Sequence, residues 1–108
     1  MANTFKSVGL QTTNNYATIY TAPAGTTTIV LAIQCANIHA STAYKIYVRV
    51  HDETTSTEFI LLNGALVSAG AAIDAVSGKL VLNEGDIVSV KSDTTATFEL
   101  YMSYMEMT

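Results

Sequence analysis

The 108 residues carry five Lys and Arg against nine Asp and Glu, a net charge of −4, and charged residues are only 13% of the chain against 49% hydrophobic. A chain of this length suits one domain, which buries about two-thirds of its unfolded surface and so needs no disulfide or metal to hold a core. Two function classes are excluded: no run approaches the ~20 apolar residues of a membrane helix, and no basic stripe exists to displace counterions from nucleic-acid phosphates.

The scarcity of charge, with a mean hydropathy of +0.30, predicts an oligomer whose interfaces remove surface from water. The alternative is a monomer kept wet by its many threonines. The N-terminal residues Met1 to Lys6 lack the charged region and apolar core of a signal peptide. A single cysteine, Cys35, rules out an internal disulfide and a Cys-based zinc cage within this sequence. Folding in a reducing cytosol is the expectation.

In chain order, Thr4 to Leu10 and Tyr16 to Thr21 read as two opening strands. Ala22-Pro23-Ala24-Gly25 then offers a proline φ before a glycine, a type II turn. Thr28 to Ala36 is the clearest strand, with Ile29, Leu31, Ile33 and Cys35 assigned to one face and Thr28, Val30, Ala32 and Gln34 to the other. Tyr44 to His51 follows, with Ile46, Val48 and Val50 inward against Lys45, Tyr47, Arg49 and His51 outward. Glu58 to Leu62 is a short apolar strand ending at an Asn63-Gly64 turn. Gly64 to Val76 is alanine-rich but interrupted by Gly70, and reads as a loop with a short strand near Ala71 to Asp74. Lys79 to Leu82 and Asp86 to Lys91 look like a pair joined by the turn Asn83-Glu84-Gly85. Thr97 to Met107 closes the chain, with Phe98, Leu100, Met102 and Tyr104 on one face and Tyr101 and Met105 among those on the other.

About eight short strands separated by turn residues predict an all-β fold, an antiparallel β-sandwich of jelly-roll type. It spans residues 1–108 as a single domain, with residues 1–10 an extended N-terminal arm or edge strand.

No constellation of catalytic residues is present. His39 sits in a loop, and His51 alternates onto the polar face beside Arg49, so neither has an evident partner for general-base work. His51, Asp52 and Glu53 are adjacent in sequence, but successive strand residues point to opposite faces and cannot share one ion. Asn83-Glu84-Gly85-Asp86 lacks the alternate acidic ligands of a calcium loop. Glycines mark turns and cradle no phosphate, and no cofactor motif is present. Cys35 on an apolar face reads as a small buried hydrophobe. Tyr44, Tyr47, Tyr101 and Tyr104 suit a core or an interface, with a sugar-binding platform as the rival use.

Taken in order, Ile19-Tyr20-Thr21-Ala22-Pro23-Ala24-Gly25-Thr26-Thr27, Ile29-Val30-Leu31 leading to Cys35-Ala36-Asn37, Ile46-Tyr47-Val48-Arg49-Val50, Gly78-Lys79-Leu80-Val81-Leu82-Asn83-Glu84-Gly85-Asp86 and the ending Ser103-Tyr104-Met105-Glu106 resemble small β-sandwich structural proteins of tailed-bacteriophage virions. The resemblance implies a capsid decoration (cement) protein located in the virion, or a neck- or tail-associated component. It brings no catalytic residues. It implies a homo-oligomer, a trimer being favoured because phage subunits sit at symmetry axes, in contact with the major capsid protein or other virion proteins and with neither nucleic acid nor membrane. The N-terminal segment, through Phe5, Lys6 and Val8, and the last strand, through Tyr101, Met105 and Met107, are the candidate oligomer or capsid interface. A glycan-binding module of a tail appendage is the alternative, and it requires an exposed tyrosine cluster beside Asp or Asn side chains in a shallow groove.

Overall fold

The computed structural model describes residues 2–108. Period-two burial organises these residues into β1 (Asn3–Gln11), β2 (Ala17–Thr21), β3 (Thr27–Asn37), β4 (Tyr44–Asp52), β5 (Thr57–Val67), β6 (Ala72–Asp74), β7 (Leu80–Leu82), β8 (Ile87–Ser92) and β9 (Phe98–Met107), with no helix among them. One sheet has the order β1-β9-β3-β6 with β7 also beside β3, the other β2-β8-β4-β5, and every pairing is antiparallel. β6 pairs with Gln34 to Ala36 and β7 with Thr28 to Val30. They lie along the edge of β3 that faces away from β9, as two pieces of one interrupted strand. Counted together they make an eight-strand jelly roll, the architecture expected from the strand spacing.

The core lies between the sheets. Val30, Ile33, Cys35, Leu82, Phe98, Leu100 and Met102 from the first sheet meet Ile46, Val48, Val88 and Val90 from the second, all fully or almost fully buried. β4 and β9 keep strict alternation, so their inward residues are those the sequence indicates.

β3 does not keep it. Leu31 is an extra residue opposite β9, because Val30 pairs with Tyr104 and Ala32 with Ser103. A bulge shifts the side-chain phase by one. Thr28 and Val30 are therefore buried before it, and Ile33, Cys35 and Asn37 after it. Ile29, assigned by simple alternation to the face of Ile33 and Cys35, points outward instead.

Three further expectations are corrected. Asn63-Gly64 is not a turn: Gly64, at φ 78°, is the extra residue of a bulge, and β5 runs on to Val67. A left-handed glycine absorbs the insertion without ending the ladder. Second, β7 and β8 are not a hairpin, because β7 pairs with β3 and β8 with β2 and β4 in the opposite sheet. The Asn83 to Asp86 turn carries the chain across the sandwich, closed by Asp86 N–H donating to Asn83 O at 3.1 Å and Asn83 N–H donating to Asp86 Oδ2 at 2.9 Å. Third, Pro23 occupies the first position of its turn: Thr26 N–H donates to Pro23 O at 3.2 Å, with Gly25 at φ 71° in the third position.

The break between β6 and β7 is bridged by a side chain. Asp74 Oδ1 accepts the backbone N–H of Ile33 at 3.0 Å and of Val76 at 2.9 Å, and Ala75 N–H donates to Ile33 O at 2.9 Å. A carboxylate thus takes over where the ladder stops, and the buried backbone donors stay paired.

Candidate assembly surface

The two outer faces differ in chemistry. On the four-stranded sheet, β4 and β8 present Lys45, Tyr47, Arg49, His51 and Lys91. Arg49 Cζ lies 3.8 Å from the centre of the Tyr16 ring, and Lys91 Nζ lies 5.0 and 4.7 Å from the Tyr16 and Tyr47 rings. Tyr47 donates its hydroxyl to Asp93 Oδ1 at 3.2 Å. Tyr16, Tyr47, Arg49 and Lys91 are half-buried and satisfy one another, while Lys45 is exposed.

The outer face of the five-stranded sheet is almost uncharged. Register places Phe5 opposite Met105, Met105 opposite Ile29, and Ile29 opposite Val81. The result is one apolar row across four strands, about 14 Å wide at the usual strand spacing. Phe5 is 73% exposed and Val81 57% exposed, with Met105 and Ile29 half-buried between them. Below it lies a row of Asn3, Met107 and Thr27; above it lies a flat row of Ser7, Ser103 and Ala32. Beyond that come Gly9, Tyr101 and Gln34, then Gln11, Glu99 and Ala36. Glu99 is the single charge among the outward residues of β1, β9 and β3.

Of the six residues singled out in the sequence, Phe5, Tyr101, Met105 and Met107 share this face. Lys6 and Val8 lie on the opposite side of β1: Val8 packs against the core, and Lys6 Nζ pairs with Glu106 Oε1 at 2.8 Å. Alternation alone separates Phe5 from Val8, since residues three apart on a strand point opposite ways. The N-terminal segment is an edge strand paired with β9 from Asn3 to Gln11. Two members of the row were not legible as surface residues. Ile29 is hidden by the bulge, and Val81 by the mistaken hairpin, although its place between the inward Leu80 and Leu82 is a usable signal.

Several titratable groups are committed internally. Glu106 accepts from Lys6 and from the Tyr20 hydroxyl at 2.6 Å, and that hydroxyl also meets Thr28 Oγ1 at 2.8 Å. The Lys6 ammonium first, and the Tyr20 hydroxyl second, hold the Glu106 carboxyl below the usual carboxylate range. Burial is the main cause raising Tyr20. His51 bridges Glu53 at 3.2 Å and Glu58 at 3.3 Å, and the Glu53 hydrogen bond leads in raising its pKa. His39 Nδ1 accepts the backbone N–H groups of Ser41 and Thr42 at 3.2 and 3.0 Å. Among the described residues no group of three or more His, Cys, Asp or Glu is placed to hold a metal ion.

No family model matches the sequence, and no curated protein matches it. Solved structures do. A protein of Bacillus endospore appendages, described as a novel family of disulfide-linked pili, aligns over 97% of this chain and 84% of its own, with TM-score 0.56 and 10% identity. What the two share is the fold. A pentameric capsid protein isolated from metagenomic phage sequences, seen in two crystal structures, aligns over 91% of this chain with 24% identity and TM-score 0.45. This chain spans about 60% of that protein's length. Cys35, the one cysteine of this sequence, is fully buried.

Proposed function

We propose that this chain is a structural subunit of a phage particle, a capsid decoration (cement) protein that acts by covering surface and catalyses no reaction. The observation that carries the assembly reading is the uncharged apolar row Phe5, Met105, Ile29 and Val81 on an outer sheet face. Fully burying an exposed Phe or Val side chain contributes roughly 1.5–3 kcal/mol, so a row of this kind on each of two partners is a strong incentive to associate. The ordered series of turns and strands described above supports the phage context. The jelly roll is compatible with it but does not decide it, because one fold hosts many functions.

In this reading the row forms the subunit contact of a cyclic homo-oligomer, a trimer, with Met107 at its margin. A separate part of the surface meets the head shell by shape. Native mass spectrometry of the purified chain tests the first part: an oligomer is expected, and a Phe5→Ser, Val81→Ser double variant should be monomeric. An unchanged oligomer in the double variant removes the row as the contact. Quantitative mass spectrometry of purified virions tests the second part. A copy number comparable with the major capsid protein supports decoration, a far smaller one moves the chain to the neck or tail, and absence overturns the phage reading.

A further inference from the structure

The far end of the same sheet face is built differently from the apolar row. A groove of about 540 Å³ opens there, lined by Gly9, Gln11, Gln34, Ala36, Glu99 and Tyr101, together with the adjoining Leu10 and Leu100. Its floor is small because Gly9 has no side chain and Ala36 a single methyl. Tyr101 forms one wall and lies across Gly9: a Cβ added there would stand 3.3 Å from Tyr101 Cδ1 and 3.8 Å from Cε1. The Tyr101 hydroxyl is tied to Ser7 Oγ at 2.7 Å. The ring is therefore held at both ends, yet Tyr101 remains 56% exposed.

Covering the backbone at glycine is enough to explain one side of the ring. It does not explain the company the ring keeps. Gln11, Gln34 and Glu99 are exposed and make no side-chain hydrogen bond among the described residues, which leaves their polar groups free to meet a ligand. Two carboxamides and one carboxylate line this concave site beside a fixed aromatic surface. Carboxamides both donate and accept, and a carboxylate accepts, which matches the alternating donors and acceptors of vicinal hydroxyls. An aromatic ring with a free face takes the apolar C–H side of a pyranose. No cation stands in the groove to offset Glu99: Lys6 pairs with Glu106 on the inner side of β1, and Arg49 and Lys91 lie on the other sheet.

We infer that this groove is a binding site for a neutral saccharide, with Tyr101 as the stacking platform, Gln11, Gln34 and Glu99 as the hydroxyl-recognising groups, and Glu99 excluding acidic sugars. The inference is independent of the assembly reading, because the Ser7, Ser103 and Ala32 row separates the groove from the apolar contact.

Proton–nitrogen correlation spectra of the full chain test it directly, since the side-chain amides of Gln11 and Gln34 and the backbone amide of Gly9 each give a signal. The probes are lactose, maltotriose and triacetylchitotriose, with glucuronate as the acidic control. At least one neutral probe is expected to move these three signals saturably, with a dissociation constant on the order of 1 mM, while glucuronate does not. Tyr101→Ala should weaken that binding about tenfold, the size of one aromatic contact, and Phe5→Ser should leave it unchanged. If Tyr101→Ala fails to fold, Gln34→Leu serves in its place. Silence of all three signals to every neutral probe at about 20 mM, equal binding of glucuronate, or undiminished binding by the variant overturns the inference. A groove sealed by a second copy gives the same silence with Gly9 and Gln34 protected from exchange, which overturns the saccharide site and leaves the assembly reading standing.

Discussion

Two residues show how burial decides chemistry. Cys35 is fully enclosed between the sheets, and burial pushes its thiol up to about 12. The thiolate is the reactive form, so no labelling by a thiol reagent is expected in native buffer, with modification appearing in step with global unfolding in denaturant. Rapid native labelling would show that the sandwich opens at β3. Glu106 is the opposite case, a nearly buried carboxylate kept ionised by Lys6 and Tyr20. Because its folded pKa lies below the ordinary 4.5, its contribution is fully present above that value and is lost as pH falls through the lower folded pKa. Lys6, raised above its ordinary 10.5, contributes below that value and loses the contribution as pH rises through the folded pKa. Glu106→Gln is expected to cost about 1.5–3 kcal/mol at pH 7, the range for a hydrogen bond to a charged group. Thermal melts from pH 7 to pH 3 should show the parent falling toward the variant, and parallel curves would deny Glu106 this role.

At the scale of elements, bulges do the shaping. Ile19, Leu31, Leu61 and Gly64 are each an extra residue against a partner strand. Two of them fall in β5, the edge strand that exposes Phe59, Ile60 and Leu66. Irregular edges resist pairing with stray strands, so the two bulges make this apolar edge a poorer template for strand addition. Gly64 bears the strain of this arrangement: its φ is 78°, and a Cβ would sit 3.1 Å from Tyr47 Cε2. Gly64→Ala is expected to destabilise by about 2–3 kcal/mol, backbone strain plus displacement of the Tyr47 ring. Gly25→Ala has a similar φ of 71° with nothing within 4 Å, and should cost only about 1 kcal/mol. Urea denaturation of the pair compares them; equal losses would mean that Tyr47 yields freely.

For the whole molecule, the contrast between the two outer faces sets the expected response to salt. Association through Phe5, Met105, Ile29 and Val81 involves no charge, so its dissociation constant should change less than about threefold between low and high salt. Contact through the Tyr16, Arg49 and Lys91 face would weaken steeply over the same range. Sedimentation velocity across a salt series separates the two, and strong salt dependence would move the contact to the four-stranded sheet.

The sequence by itself determined the class of fold, the inward residues of β4 and β9, the burial of Cys35, and the outward placing of Tyr101 and Met105, because side-chain alternation along a strand is a local property of the backbone. It also made Phe5 and Val8 face opposite ways, whichever strand lay beside them. Only the tertiary structure decided that Ile29 joins the surface row, that Asn63-Gly64 continues a strand, and that β7 and β8 lie in different sheets. Those outcomes depend on which strand pairs with which and where an extra residue is absorbed. That choice is settled by contacts between residues far apart in the chain, and it leaves no periodic trace in the sequence around Leu31 or Gly64. The Tyr101 groove arises in the same way: Gly9, Gln34 and Glu99 become neighbours only when β1 and β3 close on either side of β9.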